Sequence, residues 1–239
     1  MASSSVEVAD DQWFEREEDA QRFGQLMSST GAGATSEGSE LEVAVHAAHA
    51  AGADAEVMRL LEAEPGNDMC YTSLSREMIA YIVAAVVDSP DGSGAGDGGG
   101  AAASTQLVTL GCGRGMLEWL LQVQFDKAKA GSVAVSSFEL AGVATDFFPE
   151  AAVTRVTAGQ PIPPLPANAV LLCAWGETGM YAQYLAAHSG NVFVTVGEEM
   201  FTDPEPRCEL AGWRIHASED FEGGNAVTVY WREEPGSFE

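Results

Sequence analysis

The chain has 239 residues, 46% of them hydrophobic types, which suits one elaborated domain with a buried core. Eleven Lys and Arg stand against 36 Asp and Glu, a net charge of −25, and such a field opposes nucleic acid and anionic membrane surfaces. Cys70, Cys112, Cys173 and Cys208 form no Cys-x-x-Cys pair, so neither a structural zinc site nor a disulfide scaffold is expected.

Residues 1–20 are acidic and polar, unlike a signal or transit peptide. No apolar run approaches the ~20 residues that span a bilayer, and a cytoplasmic protein is the expectation. Trp13, Phe14, Phe23 and Leu26 give residues 11–27 a helical pattern. Residues 28–39 and 89–104 are Gly/Ser-rich and read as flexible coil, with too little apolar surface to offset the entropy of ordering. Residues 40–63 read as one helix, or two broken near Gly52. Pro65-Gly66 ends that stretch. Ser75 is placed to cap the next helix, in which Met78, Ile79, Ile82, Val83, Val86 and Val87 recur at helical spacing.

From residue 106 onward, short apolar runs alternate with helical patterns. Strands are expected at 106–110, 133–138, 151–157, 168–174 and 191–196, with helices at 116–125 and 178–188. A final pair at 213–217 and 226–231 is separated by an acidic turn. Strand and helix in alternation imply an α/β fold, a parallel sheet with helical crossovers, and the last pair allows an antiparallel edge. The division expected is a helical extension over 1–66, carrying the 28–39 linker, and an α/β domain over 67–239, carrying the 89–104 insert.

The most informative stretch is Leu107-Val108-Thr109-Leu110-Gly111-Cys112-Gly113-Arg114-Gly115, running into Met116-Leu117-Glu118. It describes a strand, a tight turn and a helix start, and glycines let the backbone take positive φ and admit a ligand closely. The turn lies where open α/β sheets bind ligands, at a strand's carboxyl end. Its spacing is Gly-x-Gly-x-Gly, whereas the dinucleotide fingerprint places its third glycine one residue later. An acidic residue, Glu139, closes the next strand 24 residues beyond Gly115, close to the ~20 of a ribose-binding acid.

This pattern resembles motif I of the class I S-adenosylmethionine (SAM) methyltransferases over roughly residues 106–232. The resemblance implies a seven-stranded, mostly parallel, three-layer sheet with extra N-terminal helices. It also implies a SAM-dependent transferase acting on a small-molecule or protein acceptor. By that resemblance Gly111, Cys112, Gly113 and Gly115 would hold the cofactor's methionine part and Glu139 its ribose. Gln160 would meet the adenine and Trp175 would lie beside the sulfonium. Glu177, as a base, and Tyr71, as a lid residue, are the acceptor-side candidates. The sequence departs from the family at Thr109, where many members have an acid, at Ala158-Gly159-Gln160, where many have an acid beside the adenine, and at Trp175-Gly176-Glu177, which lacks Asn/Asp-Pro-Pro-Tyr. These departures carry the alternative of a non-catalytic protein that keeps the fold as a binding or assembly subunit. Cys112 reads as packing, and His46 with His49 as a partly exposed helix face.

Overall fold

The computed structural model describes residues 39–64, 73–89, 105–128, 133–157, 160–167, 169–174, 178–198, 212–222 and 225–232. All of them lie within the unit Ser39–Glu239. The helix expected at 11–27, the linker, most of the 89–104 insert and the interval after residue 198 fall outside the described residues.

Two helices, α1 (Glu40–Ala50) and α2 (Asp54–Ala63), meet at Gly52, whose φ of +67° turns the chain between them. Ser39 caps α1 through its hydroxyl, and Ser75 caps α3 (Arg76–Val87) by accepting from Met78 N at 3.1 Å, a contact worth about 1 kcal/mol. The α/β part follows as β1 (Gln106–Leu110), α4 (Met116–Lys127), β2 (Ala134–Leu140), β3 (Val153–Val156), β4 (Ala169–Ala174), α5 (Thr178–Ala187), β5 (Val192–Glu198), β6 (Trp213–Phe221) and β7 (Asn225–Arg232).

The seven strands form one sheet in the order β3-β2-β1-β4-β5-β7-β6, parallel except for β7, which runs antiparallel to both β5 and β6. This is the seven-stranded, mostly parallel α/β sheet expected from the sequence. Alternation along the strands divides the core. Leu107, Val170, Leu172, Val194 and Val229 point to the side covered by α1–α4, packed on Val45, Leu61, Ile82 and Leu121. Val108, Leu171, Cys173, Phe193 and Tyr230 point to the other side, against Leu185 of α5. Each such buried side chain contributes ~1.5–3 kcal/mol.

Two strands run further than their apolar patterns suggest. β2 continues to Leu140, so Glu139 lies inside the strand rather than after it, paired in register with Arg155. β6 continues to Phe221, and Glu219 and Asp220, expected in a turn, are strand residues. β6 is an edge strand with both flanks largely wet, so its polar residues hide it from a hydrophobicity pattern and also block further pairing. Between β3 and β4, residues 160–167 form neither helix nor strand. Pro161, Pro163, Pro164 and Pro166 supply no N–H for a helix, and Leu165 covers the sheet there.

Candidate functional site at the glycine bend

The bend after β1 holds Gly111, Gly113 and Gly115 at φ of +76°, +53° and +82°. Two of the glycines are required for different reasons. A Cβ at Gly115 would stand 2.5 Å from Phe148 Cβ and 3.1 Å from its backbone nitrogen. A Cβ at Gly111 would meet nothing within 4 Å, so the open side of the bend is there. Gly111 N donates to Phe138 O at 2.8 Å, tying the start of the bend to β2.

Glu139 closes on this bend. Its Oε2 accepts from Gly113 N at 2.6 Å and its Oε1 from Leu140 N at 2.7 Å. The residue is only 3% exposed. Burial pushes its carboxyl above the usual range, opposed by those two N–H groups and by Arg155. A second carboxylate, Glu118, sits in the first turn of α4 and is 2% exposed. Burial chiefly raises it to about 7, opposed by its own backbone N–H and the Thr109 hydroxyl and helped by the negative charge of Glu139. Glu118 Oε2 has no hydrogen-bond partner among the described residues. Burial chiefly, helped by Glu118, pushes the Cys112 thiol up to about 12, so it is no nucleophile and acts as packing. Tyr184 of α5 lies edge-on to Phe138, and burial, then Glu139, raise its phenol.

The far side of the bend is clamped. Arg114 donates to Glu42 and to Asp146, each at 2.7 Å, and to His46 Nε2 at 3.0 Å. Its carbonyl accepts from Asp146 N and Phe147 N. His46 stacks on the Phe147 ring at 4.5 Å, and His49 donates to Phe147 O at 3.1 Å. The two histidines therefore join α1 to the segment after β2.

Of the residues singled out by sequence, Gly111, Cys112, Gly113, Gly115 and Glu139 come together. Gln160 lies exposed in the proline-rich connection, its N–H donating to Thr157 O, and no described contact joins it to the bend. Tyr71, Trp175 and Glu177 lie outside the described residues. Glu118, Arg114 and Arg155 were not singled out as site residues. Helical spacing places Glu118 on the face of Leu121 and Phe125, both buried, and an acid on an apolar face was the available signal.

No family model and no curated protein sequence matches this chain. Among solved structures it is similar to the 16S rRNA methylase RmtB, at 12% identity over 90% of this chain and 83% of that one, with a TM-score of 0.47. It is similar to human N-acetylserotonin methyltransferase in complex with SAM, at 12% identity over 90% of this chain and 68% of that one, TM-score 0.42. The pyocyanin biosynthetic protein PhzM aligns at 13% identity over 55% of this chain and 51% of PhzM, TM-score 0.41, so the match spans about half of that protein.

Proposed function

We propose that the glycine bend is a SAM site and that the protein transfers the cofactor's methyl group to a small-molecule or protein acceptor. The observation that carries this reading is the meeting of Glu139 with Gly113 N at the carboxyl ends of adjacent parallel strands. The residues present fit the cofactor. Gly111 leaves open space beside the backbone. Each Glu139 oxygen takes one N–H and keeps lone pairs for ribose hydroxyls. Glu118 is a buried carboxyl with one oxygen lacking a partner among the described residues, which suits a ligand that carries positive charge.

When bound, SAM supplies a sulfonium-activated methyl group. The chain's own part is positional. Gly111 and Gly113 admit the ligand, Glu139 orients its ribose, and the clamp on Arg114 fixes the bend so that little ordering remains on binding. Gln160 is proposed at the adenine, Trp175 at the sulfonium, and Glu177 and Tyr71 on the acceptor side, as the resemblance implies. The charge of −25 favours a small-molecule or protein acceptor.

One observation favours a second reading, a protein that keeps the fold and serves as a binding subunit. Both oxygens of Glu139 are already used by backbone N–H groups, so this carboxylate also serves as a latch. Thermal unfolding with SAM or S-adenosylhomocysteine separates the two. A ligand that binds only the native state raises the midpoint. The expected result is a rise that is abolished in Gly111→Arg, whose side chain fills the open side of the bend. No rise at millimolar ligand overturns the cofactor reading. A rise without methyl transfer from labelled SAM into cell extract favours the binding subunit.

A further inference from the structure

The buried Glu118 carboxyl stands in the first turn of α4, directly after the bend, with one oxygen lacking a partner among the described residues. Its surroundings supply little positive charge. Thr109, at the end of β1, offers a hydroxyl, and the residue's own N–H a dipole. Among the described residues the titratable groups facing it are Glu139 of β2 and Cys112 of the bend, and Arg155 of β3 acts on those two. Cys112 stays protonated at neutral pH, and Glu139 repels. A buried carboxylate left in this state is costly, and it is relieved by a cation or a proton.

We propose that Glu118 is the counter-charge for the cationic amino-acid end of the cofactor, and that cofactor binding at this bend expels a proton from Glu118. The inference rests on the SAM reading above and deepens it. The neutral carboxyl is the resting state over part of the physiological range, since burial holds its pKa at about 7. A ligand cation beside Glu118 selects the ionised form, so affinity falls as the pH drops and the proton competes. With a single controlling group, only about a tenth of the molecules are binding-competent at pH 6, and affinity is about tenfold weaker there than at pH 8.

The test is calorimetric titration of the full chain with three probes that share the thioadenosine group. SAM carries sulfonium and ammonium, S-adenosylhomocysteine the ammonium alone, and 5′-methylthioadenosine neither. Titrations in two buffers of different ionisation enthalpy read proton release directly and need no variant. The expected result near pH 7 is release of roughly half a proton with SAM and none with 5′-methylthioadenosine. Release with S-adenosylhomocysteine as well assigns the ammonium, and release with SAM alone assigns the sulfonium. Glu118→Gln abolishes the excess release over the ligand's own titration and weakens SAM about tenfold at pH 8, leaving 5′-methylthioadenosine unchanged. Binding of all three without protein-derived release, or an equal loss for all three in Glu118→Gln, overturns this inference and leaves the cofactor reading standing. No heat with any probe overturns both.

Discussion

Two buried polar clusters lie at opposite ends of the sheet. One is the glycine bend, at the carboxyl ends of β1 and β2. The other gathers His188, Trp213 and Arg232 beside the amino end of β5, where Arg232 N donates to Asn191 O. In the second cluster Arg232 Nη2 donates to His188 O at 2.6 Å, just past the end of α5, and the guanidinium lies 4.8 Å from the centre of the Trp213 ring. Helix-end carbonyls and an aromatic face thus surround its charge with negative potential. At the bend, two carboxylates repel each other, and one keeps an oxygen without a partner. Both clusters break the rule that interiors are apolar. Each keeps buried polar atoms without a hydrogen-bond partner among the described residues, Trp213 Nε1 and Arg232 Nε in one and Glu118 Oε2 in the other. They differ in sign, one setting a cation against carbonyls and an aromatic face, the other setting two carboxylates side by side.

The largest break in this comparison is expected at Gly115. Gly115→Ala drives a Cβ into the base of Phe148 at a left-handed backbone position, and a loss of about 2–5 kcal/mol is expected in urea unfolding. Gly111→Ala meets open space and loses only the backbone term, about 1–2 kcal/mol. Equal losses would show that Phe148 yields and that the bend is less fixed than its contacts imply.

A second test uses pH. Glu118 titrates near 7 when folded and near 4.5 when unfolded, so between those values the native state holds the extra proton. Stability therefore falls as pH rises through that window, by about 1–3 kcal/mol, and Glu139, also shifted upward, acts in the same direction. Comparing urea midpoints at pH 5 and 7.5 should show a steeper fall in the wild type than in Glu118→Gln, which also has the higher midpoint at pH 7.5. Parallel falls would mean that Glu118 is already compensated.

At the other cluster the sign reverses. Arg232→Met removes a charge whose partners remain buried, and a loss of about 1–2 kcal/mol is expected, with no effect on SAM affinity. A change in SAM affinity would end the division between this cluster and the proposed cofactor site. The smallest effect belongs to the surface pair Lys127–Asp54, where Lys127→Ala should cost less than about 1 kcal/mol and fade with salt.

Local patterns carried much of this protein into view. Apolar runs marked the parallel strands, Ser75 marked the start of α3, and the glycine spacing with a downstream acid marked the bend, because each depends on neighbours in the chain. The full length of β6 did not show, because an edge strand wetted on its polar residues lacks the alternation that betrays a strand. Nor did the Arg114 clamp, whose partners Glu42 and Asp146 stand 72 and 32 residues away. Glu118 and Glu139 are the sharpest case. Both are visible as letters, yet whether an acid is solvated or buried beside another is settled by which segments fold over it. Charge burial is a property of the three-dimensional surroundings, and only the packed sheet and α4 bring those surroundings into being.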